Sequence, residues 1–127
     1  MGGRRAGGRV LAALLSLTTA SVLLLAPAAG AKPAKHVIEV EARDNEFDAP
    51  SVTVRKGTWI KFANVGRNDH NVIPTSDAGE FLHIRTKSFE PDESMGIQMT
   101  KPGKYRYYCS IHGTRAAGMR GVIIVKG

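Results

Sequence analysis

Cys109, His112 and Met119 fall within one short segment, spaced C-x2-H-x6-M, and His70 stands 39 positions before the cysteine. A thiolate, two imidazoles and a thioether are the donors of a mononuclear copper site with three strong ligands and one weak axial ligand. Sulfur from Cys109 suits an ion that cycles between cuprous and cupric forms, and the two nitrogens keep the cupric form accessible. One excursion between two strands supplies three of these donors at little cost in loop-closure entropy. Taken singly, each residue has a plainer use: a lone Cys is commonly a small buried hydrophobe, and a lone His or Met is commonly packing or surface. The four in this order, each at the end of an expected strand, point to a single metal site. Cys109 is also the only cysteine, so no framework disulfide is available to it. Metal ligation and an intermolecular disulfide are the two remaining accounts.

The elements that must position these donors read as strands. His36–Ala42 is rich in β-branched residues, and Pro50 opens a second run with Val52 and Val54 on one face. Lys56-Gly57 marks a turn into Thr58–Asn64, where Ile60 and Phe62 share a side. Gly66-Arg67-Asn68-Asp69 breaks the pattern just before His70–Ile73, placing His70 at a strand end beside a loop. Residues 74–93 show no sustained period and read as a long crossing loop with short extended pieces. Ser94–Met99, Lys104–Cys109 and Gly121–Lys126 complete the strands, with Lys101-Pro102-Gly103 as a tight turn. Met95 and Met99 fall on one strand face, where core packing is expected. Seven to eight short strands separated by turns, with no helical period after the leader, predict an all-β, Greek-key β-sandwich.

The chain has 127 residues and a formal net charge of +7. Arg4, Arg5 and Arg9 precede an uncharged stretch from Val10 to Ala31, and Ala29-Gly30-Ala31 offers a small-x-small cleavage pattern. Residues 1–31 therefore read as a secretory signal, with an uncleaved membrane anchor as the alternative. Arg4-Arg5 is weak support for a twin-arginine route, because Ala6-Gly7-Gly8 follows where bulky residues are usual. Residues 32–127 form the single domain, keeping fifteen Lys and Arg against eleven acidic residues, a net +4. The expected location is outside the cytoplasm: periplasmic, extracellular or on the outer face of the cytoplasmic membrane. A moderate positive field favours acidic protein partners or anionic headgroups. Nucleic acid is not expected, since no basic run carries interleaved aromatics.

The residues resemble the small blue copper proteins, or cupredoxins, most closely the plastocyanin and amicyanin type. Phe47-x-Ala-Pro50, Val54-x-x-Gly57 leading into Ile60-x-Phe62-x-Asn64, and His70-Asn71-Val72 carry the likeness. So do Pro102-Gly103-x-Tyr105-x-Tyr107-x-Cys109 and the run from His112-Gly113 through Gly118-Met119 to Gly121. The resemblance covers residues 36–126. It implies a copper sandwich with one copper per chain held by His70, Cys109, His112 and Met119. It also implies that Asn71 ties the two ligand loops together and that its backbone amide donates to the Cys109 sulfur. Plastocyanin members carry a shorter gap between the second His and the Met than the six residues Gly113–Gly118 found here. The axial contact, with Val122 or a backbone oxygen as the alternative neighbour, is the feature this departure leaves open.

Three functional classes follow: a one-electron carrier, a copper store or delivery protein, and an enzyme, either a copper oxidase or a nitrite-reducing domain. Multicopper enzymes flank the cysteine with histidines, whereas Tyr108 and Ser110 stand here, and a binuclear centre would need a second cysteine. No Ser-His-Asp set or paired carboxylates stand out, so no enzyme is expected. Storage would call for a second His and Met cluster, and His36, His83, Met95 and Met99 are scattered. The expectation is an exported, monomeric type 1 copper carrier. Redox partners would dock near His112 on the small area of Ile111, Gly113, Ala116 and Ala117, with Lys101, Lys104 and Arg115 at its rim. A membrane enters only through the N-terminal segment.

Overall fold

A computed structural model describes residues 1–3 and 34–127; most of the segment read as a leader lies outside the described residues. Seven strands form: β1 (Val37–Ala42), β2 (Ser51–Arg55), β3 (Trp59–Asn64), β4 (Ile73–Pro74), β5 (Ser94–Gln98), β6 (Gly103–Gly113) and β7 (Gly118–Lys126). They make two sheets, one ordered β1-β3-β5 and the other β2-β7-β6-β4. The chain crosses between the sheets at almost every connection, which leaves β1 parallel to β3 and β2 parallel to β7. This is the expected all-β sandwich of Greek-key type, with seven strands.

Alternation of side chains decides which face of each strand is inside. On β6, Tyr105, Tyr107 and Cys109 are buried, and on β7 Met119, Gly121, Ile123 and Val125 are buried. The facing sheet contributes Val40, Ile60 and Phe62. Phe47, Phe62 and Tyr107 meet edge to face at the centre, with ring centroids 5.0 to 6.3 Å apart. Such pairs add about 0.5–1.5 kcal/mol each beyond the area they bury. The Tyr107 ring lies over its cross-strand partner Gly121, where a Cβ would come within 2.4 Å of the ring. Glycine at 121 is thus the space that the central aromatic occupies.

Three expectations need correction. Residues 74–93 hold, besides short extended pieces at Pro74 and Ile84, two 3₁₀ turns, Asp77–Leu82 and Thr86–Ser88. These tight turns bury only Gly79 and Leu82, too few positions to write a period into the sequence. The strand expected over His70–Ile73 shrinks to Ile73–Pro74, preceded by a single bridge between Val72 and Ile84. His70 lies in the loop after β3. Met95 is 37% exposed, whereas Met99 is fully buried, because β5 is an edge strand that ends at Gln98.

Candidate metal centre

His70, Cys109 and His112 converge at one end of the sandwich. One donor atom from each lies within 4.8 Å of the others. The Cys109 sulfur is 3.7 Å from Nδ1 of His70 and 3.8 Å from Nδ1 of His112. The two imidazoles stand edge to face with centroids 4.9 Å apart. For metal–nitrogen bonds of about 2.0–2.1 Å and a metal–sulfur bond of about 2.3 Å, a trigonal angle puts nitrogen and sulfur about 3.7–3.8 Å apart. The donor spacing therefore fits a first-row transition ion, and the thiol and imidazole types favour copper or zinc over hard cations.

Each donor is placed by its element. Cys109 points inward directly after Tyr108, the residue at which the β6–β7 pairing breaks register until Gly113, and it is completely buried. That irregularity carries His112 to a half-buried position at the end of β6. The ladder resumes at Gly113 and Gly118, and a Thr114–Ala117 turn joins them, closed by Thr114 N–H donating to Ala117 O at 2.8 Å. Gly118 has φ +79°, and a Cβ there would lie 2.6 Å from the His112 carbonyl oxygen. Both features require glycine. Met119 follows, buried on the inner face of β7, its backbone packed against Gly113.

His70 is held by groups to which the sequence reading gave no such role. Asn64, 2% exposed at the end of β3, donates through Nδ2 to the carbonyls of Asn68 (2.8 Å) and Phe89 (2.9 Å), and its Oδ1 accepts Gly66 N–H. Phe89 O also accepts His70 N–H at 3.2 Å. From outside, Asp44 accepts the Arg67 backbone N–H at 2.7 Å and its guanidinium at 2.8 Å. Gly66 fits so tightly here that a Cβ would lie 2.9 Å from the Arg43 backbone. A buried Asn at a strand end followed by Gly was the legible signal; the Asp44 partner was not, because it comes 23 residues earlier.

Asn71 does link the two loops, through its side chain. Oδ1 accepts Ser110 N–H at 2.8 Å, and Nδ2 donates to Ser110 Oγ at 2.9 Å and to Thr86 Oγ1 at 3.2 Å. The contact expected between its backbone amide and the Cys109 sulfur is not among the hydrogen bonds of the described residues.

Burial, and next the facing His112, push the His70 imidazole below the ordinary histidine range, opposed by a backbone contact from Arg43 and by Asp44 and Asp69. Its Nε2 is buried with no protein hydrogen-bond partner among the described residues. A neutral imidazole with Nδ1 turned to a buried sulfur is a metal-ready ligand, since the ligating form must be deprotonated. In the segment that carries His112, Ile111 is 48% exposed, Ala116 and Ala117 are exposed, and Gly113 is half-buried.

Comparisons with known proteins agree on a family. The family model described as copper binding proteins, plastocyanin/azurin family, matches residues 34–126. Chloroplastic plastocyanin of Chlamydomonas reinhardtii is 30% identical over 64% of the chain, which spans 59% of that relative's length. The copper-resistant cuproprotein CopI of Rubrivivax gelatinosus is 28% identical over 79% of the chain and 72% of its own. A reduced amicyanin variant superposes with a TM-score of 0.60 over 73% of this chain and 85% of its own, at 22% identity, a likeness of fold.

Proposed function

The chain belongs to the plastocyanin/azurin family of copper-binding proteins, the cupredoxins, and from that membership we propose that it is an exported type 1 copper protein that carries single electrons between redox partners. The observation that carries this reading is the trio of Cys109, His70 and His112, with both ring nitrogens at near-equal distance from one buried sulfur. Those three residues would hold the ion, with Met119 as the weak axial donor. Bound copper would supply a one-electron couple, which a mixed sulfur and nitrogen donor set tolerates in both oxidation states.

The protein's own part is to keep that donor set still. Cys109 is fully buried on β6 just past Tyr108, the last residue paired before the break, Asn71 bolts its neighbour Ser110 to the His70 loop, and Asn64 bolts the same loop to β3 and Phe89. Little nuclear rearrangement then accompanies a change of charge. His112 is the half-buried member of the trio, so its ring is the route outward, framed by Ile111, Gly113, Ala116 and Ala117. Residues 1–31 serve export in this reading, either cleaved or kept as an anchor, with residues 32–127 as the working domain.

Copper storage or delivery is the second reading, favoured by the likeness to a copper-resistant cuproprotein. Among the described residues His36 and His83 are exposed and sit apart, bonded to Thr58 and Glu80, and no second cluster of three His, Cys, Asp or Glu is present. The test is to add one equivalent of cupric ion and record the visible and paramagnetic resonance spectra, then cycle the protein against a competing chelator. An intense sulfur-to-copper band, lost in Cys109→Ala, with copper kept on reduction, is the expected result. Colour surviving in Cys109→Ala sinks the ligand set, and release of copper at each reduction makes the protein a donor.

A further inference from the structure

The sheet that carries Cys109 inward has a second face, and that face is cationic. Outward positions follow by alternation: Lys104, Arg106 and Tyr108 on β6, Arg120, Val122, Ile124 and Lys126 on β7, and Ser51, Thr53 and Arg55 on β2. Register sets them side by side, with Arg106 opposite Val122, Lys104 opposite Ile124, Tyr108 opposite Arg120 and Arg55 opposite Lys126. No acidic residue stands at any of these positions. All acidic residues of the chain fall between Glu39 and Glu93. None of Arg55, Lys104, Arg106, Arg115, Arg120 and Lys126 forms an ion pair among the described residues, although Arg43, Lys61 and Arg67 do.

At the end of this face nearest the ligand loop, Arg106, Arg115 and Arg120 border a recess of about 310 Å³ with Thr75, Pro50 and Val122. Two of the three guanidiniums are fixed: Arg115 Nη1 donates to Thr75 O at 3.0 Å, and Arg120 Nη1 to Ala116 O. A guanidinium has five N–H donors, so each keeps most of its fork free. Fixed, unpaired guanidiniums match planar carboxylates, which they bind two-pronged at reduced entropic cost. Within residues 34–127 the exposed large apolar side chains Val37, Val65, Phe81 and Met95 lie off this sheet and Ile111 stands at its His112 end, so the positions named above offer no exposed large apolar side chain to insert into a bilayer.

We propose that the outward face of the β2-β7-β6-β4 sheet is the docking surface for an acidic protein partner, whose carboxylates are received by Arg106, Arg115 and Arg120. This extends the carrier reading and rests on it for the partner being a redox protein. Separation of charge along the chain, with all eleven acidic residues before residue 94 and six unopposed Lys and Arg after it, orients the molecule in the partner's field and raises the encounter rate. Arg115 belongs to the loop between His112 and Met119, so a partner held there sits next to the half-buried imidazole.

The test is amide NMR of the isotope-labelled protein titrated with a dodeca-glutamate peptide, at low ionic strength and at about 0.15 M salt. Expected are shifts on Lys104, Arg106, Arg120 and Lys126 that weaken with salt. Affinity should fall at least about tenfold in Arg106→Glu with Arg120→Glu, less in the milder Arg106→Gln with Arg120→Gln, and not at all in Lys87→Glu, which lies off the face. Shifts centred elsewhere, or none, overturn the proposal. Binding to phosphatidylglycerol vesicles without binding to the peptide replaces the protein with a membrane and overturns it too. The copper spectrum, recorded on the same samples, reports separately: a colourless wild type would remove the carrier reading while leaving the binding result to decide the face.

Discussion

Asn71 ties the two ligand-bearing segments together without being a ligand candidate, and its three hydrogen bonds to Ser110 and Thr86 set what its loss should cost. Asn71→Ala leaves the part-buried Ser110 N–H without its protein acceptor, a cost of about 0.5–1.5 kcal/mol. A lower melting temperature and a broadened copper spectrum are expected, and a melt identical to wild type would show that the link bears no strain. Met119→Leu keeps size and burial but removes the thioether. The colour should persist while the potential rises, since the cupric form loses a donor; an unmoved potential would mean that Met119 is not the axial neighbour. His70 gives a pH dependence. Its ring is held below the ordinary imidazole range, so between that depressed value and about 6.5 the unfolded chain binds more protons than the folded one. The metal-free protein is then fully stable above about pH 6.5 and loses stability as pH falls below it. Urea midpoints at pH 7.5 and 5.5 check this sign, against His70→Phe, in which that slope should shrink. The donors were legible in the sequence because their chemistry is written in the residue types Cys109, His112 and His70. Asp44, Arg67 and Phe89, which hold His70 in place, were not, because a surface carboxylate or an ordinary Phe acquires that task only when distant segments meet.

The β6–β7 hairpin is the element on which the site depends, and its glycines mark where it has no slack. Gly118→Ala would force a side chain into a left-handed conformation and against the His112 carbonyl. It should alter the copper spectrum more than it lowers the melting temperature, because the strain falls on the ligand loop. Gly121→Ala acts at the other end, thrusting a methyl into the Tyr107 ring in the centre of the core. Overpacking of this kind costs about 1–3 kcal/mol, and the spectrum should stay ordinary wherever the protein still folds. Were the two variants to show the reverse pattern, loop and core would not be separable in this way. The strands themselves were readable for a physical reason: Val52 with Val54, and Ile60 with Phe62, repeat every second residue because the two faces of a strand meet different solvents. Residues 74–93 had no such rule. Their 3₁₀ turns are set by Leu82, Ile84 and Phe89 dropping separately into the core, and Met95 escaped the inside pattern because an edge strand need not bury every alternate residue.

At the scale of the whole molecule, the candidate centre bridges parts that the chain keeps far apart. His70 leaves the loop after β3, in the three-stranded sheet, and Cys109 lies on β6 of the other, 39 residues later. An ion held by both therefore staples one sheet's exit loop to the other sheet, and binds only when the two are correctly packed. Binding free energy of that kind is folding free energy. At a free copper concentration 100 times the dissociation constant the folded state gains about 2.7 kcal/mol. For a domain of this size about 1 kcal/mol moves the melting temperature by about 4–8 °C, so loading should raise it by about 10–20 °C. The gain should vanish in Cys109→Ala and largely vanish in His70→Phe, whose donors lie on opposite sides of the staple. It should also rise with total copper above saturation by the logarithm of the free ion, as for any ion that binds the folded chain and not the unfolded one. Scanning calorimetry of the three proteins, with and without the ion, decides between them. A loaded wild type melting within a degree or two of the metal-free form, at about hundredfold excess over the dissociation constant, would show that the site also forms in the unfolded chain and holds the two sheets together no better than the core already does.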